Sequence, residues 1–294
     1  MPTVKHASII KKDQDVHEQR FEIDIGSTPE YADQMPRSQA GLRVTEEEFW
    51  QTYYHESDII YEWNNGILEE KPMADYLSFK MYRWFLKLLE EFLRAFPIAK
   101  MIGLEIGFRL ALPEKTSIRR PDLAIILHAN PVDIEDEECT YRGIFDLCIE
   151  FLSDSKPQDV TRDTVVKKLE YCQAGVREYF ILDRKGRETA FYRLDRHGKY
   201  VPLPQLPNGI IRSDVLTGFQ FRVADLYNTP ELLELVNDPI YRSYILREYQ
   251  AERQHADAER QRADAARQRA EAEQQEKLKF AAKLRELGID PKSL

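Results

Sequence analysis

Cysteine is scarce and odd in number: Cys139, Cys148 and Cys172 are the three in 294 residues. With no CxxC spacing they exclude a disulfide framework and a zinc site built from cysteine alone. They are expected to stay reduced and to pack mostly as small hydrophobes. The six histidines include no pair at metal-ligand spacing. No window approaches the run of about 20 apolar residues that a membrane span requires. Residues 1–20 lack the apolar core of a signal peptide, so a cytoplasmic protein without a membrane partner is expected. No sequence-reading helix, RNA-binding aromatic motif or zinc finger is recognisable either, so sequence specificity toward nucleic acid is not legible. Positive charge is in deficit, with a formal net charge of −9. Residues 240–294 carry 12 Lys and Arg against 10 Asp and Glu, leaving the remainder near −11. That argues against indiscriminate nucleic-acid binding, but not against a local basic groove.

What is present is enough apolar surface for a core: 43% hydrophobic and 11% aromatic residues. Residues 1–43 are polar without sustained period and read as a flexible arm. The domain is expected over 44–239 and a helical tail over 240–294. Thr45 and Glu48 form a capping-box pattern that opens a short helix. Ile59–Trp63 and Ile67–Glu69 flank Asn64-Asn65-Gly66, a strand–turn–strand signature. From Tyr76 to Phe96, Leu77, Met81, Trp84, Phe85, Leu88, Leu89 and Phe92 recur at helical spacing, and Pro97 stops the helix. Strict alternation over 102–112 predicts one half-buried strand. Residues 121–127 and 145–152 read as apolar central strands, 163–173 as a helix ended by Gly175, and 178–183 and 189–194 as further strands. The pattern is α/β. Beyond residue 248 a seven-residue Ala/Gln/Arg/Glu repeat predicts helix without Leu or Ile knobs. A solvated single helix and a weak coiled coil that makes a homo-oligomer both stay open. Leu284, Leu287 and Ile289, with Gly288 as a cap, form a possible docking hook after it.

Two carboxylates occupy expensive positions. Asp122 opens an apolar strand, and Glu150 lies inside Phe145–Leu152, on the face of Asp146, Cys148 and Leu152 and opposite Phe145, Leu147, Ile149 and Phe151. An unpaired buried carboxylate costs several kcal/mol, on the order of 2–7 for a polar group, so each needs a cation, a proton or a metal ion. Two such acids on neighbouring strands would make a hard-oxygen site for Mg²⁺ or Mn²⁺. Lys167, on the following helix, could balance their charge. Lys168 points about 100° away, and Tyr171 shares the face of Lys167 as a core or rim residue. Arg119, Arg120, Lys156, Arg162, Lys167 and Lys168 could together track a phosphate backbone, or be ordinary surface charge.

These residues carry a resemblance. Arg120-Pro121-Asp122-Leu123, Glu150-Phe151-Leu152-Ser153, and the string from Asp163 through Lys167, Tyr171, Gly175-Val176 and Glu178-Tyr179-Phe180 to Asp183 resemble the bacterial putative restriction endonuclease family. That family is grouped with the PD-(D/E)XK nucleases, in a branch whose lysine has moved from the strand to the next helix. Tyr61-Glu62 with Gly66 and Leu68, Ser213 to Phe219, and Lys283 to Pro291 are similar as well. The resemblance implies a restriction-endonuclease-like mixed central sheet flanked by helices, with a C-terminal extended helix. It implies Asp122 and Glu150 as metal ligands, Lys167 as the orienting cation and Glu62 as an additional carboxylate. From its own context Glu62, beside a turn, reads as an exposed strand residue. The motif here is Glu-Phe-Leu-Ser rather than Glu-x-Lys, so the lysine role falls to Lys167. The expected function is a Mg²⁺-dependent endonuclease (Mn²⁺ as substitute) acting on nucleic acid, DNA rather than RNA. The alternatives are a catalytically silent scaffold that binds nucleic acid or a protein and is assembled by its tail, and a hydrolase of small phosphoesters.

Overall fold

The computed structural model describes residues 37–103 and 106–286. The chain divides after Ser38, and the helices and strands of the described residues belong to the unit that begins at Gln39. Most of the expected arm (1–36) and the hook residues Leu287, Gly288 and Ile289 lie outside the described residues.

Local chemistry accounts for most elements. Thr45 Oγ1 accepts the Glu48 N–H at 3.1 Å and starts the helix Glu46–Glu48, which widens into a π-helical turn over Phe49–Tyr54. Strands β1 (Tyr61–Asn64) and β2 (Ile67–Glu70) are joined by Asn65 and Gly66 at φ 47° and 97°, the left-handed pair that a two-residue hairpin turn demands. The long helix Tyr76–Ala95 is capped by the Asp75 side chain, which accepts the Ser78 N–H at 2.9 Å. Its buried face, Met81, Trp84, Phe85, Leu88, Leu89 and Phe92, is the apolar stripe of the sequence without Leu77, which is exposed in the first turn.

The single strand expected over 102–112 is instead two strands in different sheets. β3 (Ala99–Gly103) pairs with β6 (Leu123–Leu127), while β4 (Gly107–Ala111) pairs with β5 (Thr116–Arg119) and, in parallel, with β7 (Thr140–Tyr141). A period of two carries no information about which partner each half finds. At Gly107, the first residue of β4, a Cβ would stand 2.9 Å from Arg119 O and Arg120 Cγ, so only glycine permits so close an approach to the end of β5.

The smaller sheet has the order β2-β1-β5-β4-β7. The larger contains β8 (Leu147–Phe151), β9 (Glu178–Leu182), β10 (Ala190–Leu194) and β11 (Tyr200–Pro202) in the order β11-β10-β9-β8-β6-β3. Only β8 and β9 run parallel in it, and the helical crossover between them provides the site helix. That helix is Pro157–Thr161, a π-helical stretch Arg162–Lys167, and Lys168–Ala174, ended by Gly175 at φ 88°. Residues Ser213–Phe219, matched to a closing strand in the resemblance, form the connection between β12 (Ile210–Arg212) and β13 (Gln220–Arg222).

On β8, Leu147, Ile149 and Phe151 pack toward the long helix, whereas Cys148 and the following Leu152 join the cluster of Tyr171 and Tyr179. Phe145 belongs to the second cluster, contrary to the expected alternation, because the strand begins only at Leu147. Cys148 is buried, Cys172 half-buried and Cys139 exposed, so just one thiol acts as a core hydrophobe. Ile240, Tyr241, Tyr244 and Ile245 sit in the main core, and the exposed helix Arg247–Glu286 comes after them. Among the described residues no helix is long and apolar enough to cross a membrane.

Candidate active site

Arg120, Pro121 and Asp122 link β5 to β6, and so carry the chain from the smaller sheet to the larger. The ladder between β6 and β8 pairs Leu123 with Ile149. One further step in that register sets Asp122 opposite Glu150, on the same face. The Phe151 N–H donates to Asp122 Oδ2 at 2.8 Å and fixes its rotamer. Asp122, Glu150, Asp163 and Lys167 line one cleft of about 160 Å³, walled on its other side by Phe79 and Tyr82 of the long helix.

Lys167 stands at the centre, 2% exposed. Its Nζ lies 3.0 Å from Glu150 Oε1, 3.0 Å from Glu62 Oε1 and 3.4 Å from Asp163 Oδ1. The Tyr171 hydroxyl donates to the same Glu150 Oε1 at 2.9 Å. Tyr171 is therefore a core residue that anchors the acid, one turn after Lys167 on the same face. Glu62 is fully buried, not exposed as its place beside the turn suggested. Its Oε1 accepts the Arg120 N–H at 2.9 Å and its Oε2 faces Arg119 at 3.2 Å.

One ammonium among three acids cannot keep them all ionised, and the partners decide which yields. Burial disfavours the charge on Glu62, but Lys167 and Arg119 outweigh it and hold that carboxyl well below the usual range. Burial pushes Glu150 up to about 8 against the pull of Lys167, and the Asp122 charge pushes it the same way. Asp163 is also raised, chiefly by burial. Burial opposes the charge on Lys167 too, yet Glu150 and Glu62 raise it above its ordinary value, so it stays a cation.

The expected phosphate-tracking set needs correction. Arg119 is fully buried and clamped by Glu62, Glu69 and Glu170. The Arg120 guanidinium lies 3.7 Å from the Tyr54 ring centroid, and Arg162 is tied to Asp159 and the Glu70 carbonyl. Lys168 covers the Tyr192 ring at 3.9 Å. Arg119 and Arg162 thus neutralise acids and Arg120 and Lys168 cover tyrosine rings, while Lys156 alone of the set is exposed and, among the described residues, makes no ion pair.

Lys71 was not foreseen. Its Nζ donates to Asp122 Oδ1 at 2.8 Å and to the Arg120 carbonyl at 2.6 Å. It comes after β2 in a loop whose local sequence contains no sign of this contact. Asp163 had a signal, since it lies four residues before Lys167 on a helix. Glu170 had none.

The donor set can be tested for a metal ion from its own chemistry. Among the described residues no group of three or more His, Cys, Asp or Glu surrounds a common point. Two carboxylates with the rest of the shell left to water suit Mg²⁺ and not a closed zinc or calcium cage. Both hydrogen bonds to Glu150 land on Oε1, and Asp163 Oδ1 is buried without a hydrogen-bond donor. Asp122 spends one acceptor position per oxygen on Lys71 and Phe151, and each oxygen keeps another. The residues present therefore fit a small divalent cation.

The model of a family described as putative restriction endonuclease (Uma2) matches residues 46–224. No curated protein matches the chain. Among solved structures it is similar to a putative nuclease belonging to DUF820 from Anabaena variabilis ATCC 29413, at 17% identity and a TM-score of 0.51, over 63% of this chain and 98% of that one. At that identity the likeness speaks for the fold alone.

Proposed function

The chain belongs to the putative restriction endonuclease family, and on that footing we propose that it is an endonuclease that hydrolyses phosphodiester bonds in DNA with Mg²⁺, or Mn²⁺ in its place. One observation carries the reading. Lys167 from the site helix meets Glu150 at 3.0 Å in the same cleft that Asp122 lines. Three chemically costly groups converge from three elements, which a merely structural ion pair would not require.

In this reading Asp122 and Glu150 would hold the metal. Mg²⁺ so bound would lower the pKa of a coordinated water and offset charge on the scissile phosphate. Lys167 orients the attacking water or a phosphate oxygen with its ammonium. Glu62 is a positioning residue, acting through Lys167 at 3.0 Å. Tyr171 holds the Glu150 rotamer by its hydrogen bond to Oε1.

The test is cleavage of plasmid and single-stranded DNA with Mg²⁺ or Mn²⁺, comparing wild type with Asp122→Ala. Cleavage by wild type alone supports the site, and equal cleavage by the variant sinks it. Lys167→Ala should lose orders of magnitude in rate and Lys168→Ala should not. A second reading, a silent nuclease-like scaffold that binds nucleic acid or a protein partner, draws support from Lys71, which already neutralises Asp122. Calorimetry separates the two: Mn²⁺ binding that is lost in Asp122→Ala belongs to the enzyme and not to the scaffold.

A further inference from the structure

A row of cations on the long helix has no acidic partner in the fold. Tyr76, Lys80, Arg83 and Lys87 recur at spacings of four, three and four, which places them in one stripe. Lys80 and Arg83 are exposed and Lys87 half-buried, and among the described residues none of the three makes an ion pair or a hydrogen bond. They line a groove of about 170 Å³ whose one acid is Glu231. This contrasts with Lys71, Arg119, Arg162 and Lys167 around the catalytic cleft, each of which is paired with an acid.

The stripe and the cleft share the long helix. Phe79 and Tyr82 wall the cleft on the same helix. At 100° per residue, Phe79 falls between the cationic stripe and Tyr82. Phe79 is 44% exposed and Tyr76 73%, large aromatic surfaces left in water. Lys80 to Lys87 spans about 10 Å of helix axis at 1.5 Å per residue. That accommodates about three successive phosphates at the roughly 3.4 Å per nucleotide of a helical strand. Unpaired cations beside exposed rings are the parts of a single-strand platform: charge follows the backbone and the rings stack unpaired bases. In an acidic chain, three uncompensated cations in one row on the helix that walls the cleft point to a polyanion as their partner.

We propose that the long helix is the substrate track: Lys80, Arg83 and Lys87 hold the phosphates of a single nucleic-acid strand while Tyr76 and Phe79 stack its bases, delivering an unpaired strand to the Asp122–Glu150 cleft. The track deepens the nuclease reading and rests on it for what happens at the cleft, but its test needs no turnover.

The test is fluorescence anisotropy with a labelled single-stranded oligonucleotide and its duplex, in EDTA, across a salt series. Wild type should bind the single strand more tightly than the duplex. Lys80→Gln/Arg83→Gln/Lys87→Gln should flatten the log–log salt slope by about 2, at roughly 0.7 per phosphate contact on a single strand. The same slope implies a loss of about 100-fold in affinity at 0.1 M salt. Tyr76→Ala/Phe79→Ala should weaken binding at least about five-fold while leaving the salt slope unchanged. An unaltered slope and affinity in the triple variant, a duplex bound as tightly as the single strand, or no binding by wild type would each overturn the track. Binding as described without cleavage in Mg²⁺ would sink the nuclease reading alone. Cleavage with unaltered binding by the triple variant would sink the track alone.

Discussion

Removing Lys167 should expose how the buried acids are held. Lys167→Met keeps volume and deletes the ammonium that lies 3.0 Å from both Glu62 and Glu150. Glu150 is already driven toward its neutral form, so the main loss falls on Glu62, which is ionised in the wild type. Removing one partner of a buried ion pair costs about 3–5 kcal/mol. Protonation caps that cost, because an orphaned acid can take up a proton instead. From the ordinary value of 4.5, protonating one carboxyl at pH 7 costs about 3.4 kcal/mol, and at pH 5 about 0.7, at 1.36 kcal/mol per unit. In the wild type Glu62 has a depressed folded-state pKa, so its stabilisation is constant above pH 4.5 and fades only as pH falls below that. In the variant, with Lys167 gone, burial drives Glu62 toward its protonated form, and the cost of that proton rises by about 1.36 kcal/mol per unit above 4.5, so the deficit grows with pH. We expect a loss of about 3 kcal/mol or more at pH 7, exceeding the loss at pH 5 by up to about 2.7 kcal/mol. At 2–4 °C per kcal/mol, the melting temperature should fall by about 6–12 °C at pH 7. Thermal melts in EDTA at both pH values are the assay. A pH-independent deficit, or a melt within about 2 °C of wild type at pH 7, would refute the counter-ion role.

Glu178, fully buried beneath Ser213 Oγ and the Asp214 N–H at 2.6 Å each, is pushed up to about 7 by burial. A raised carboxyl withdraws stability as pH climbs from 4.5 to about 7, so Glu178→Gln should gain on wild type by about 3 kcal/mol over that window; denaturant melts showing a constant difference would contradict this. Arg119→Met strands Glu62, Glu69 and Glu170 together and should cost at least about 3–5 kcal/mol, read as a shift in the urea midpoint. Truncation after Gln250 removes mostly exposed helix and keeps the Leu246 N–H bond to Glu91 Oε2, so the melting temperature should hold within about 2 °C, as scanning calorimetry would show.

Local rules settled much of this chain before any tertiary contact was known. The Asn65-Gly66 turn, the Thr45 capping box, the stripe from Met81 to Phe92 and the stop at Gly175 depend on residues within a few positions of one another. So does the anomaly of Asp122 and Glu150, since a carboxylate in an apolar strand is visible from its neighbours alone. Burial of charge is another matter. Glu62 looks exposed beside its turn because the residues that enclose it, Arg119, Arg120 and Lys167, are 57 or more positions away. Arg119 and Arg162 look like surface cations for the same reason, and nothing near Lys71 announces its bond to Asp122. The alternation across 102–112 could not show that the strands ending at Gly103 and beginning at Gly107 lie in different sheets, because period two describes a strand and not its partner. The sequence by itself determined the elements and the two costly acids, since dihedral preference, capping and periodicity act over short range. Tertiary structure alone decided which cations those acids consume and that, among the described residues, Lys80, Arg83 and Lys87 on the long helix are left without an ion pair, since that depends on where the strands meet.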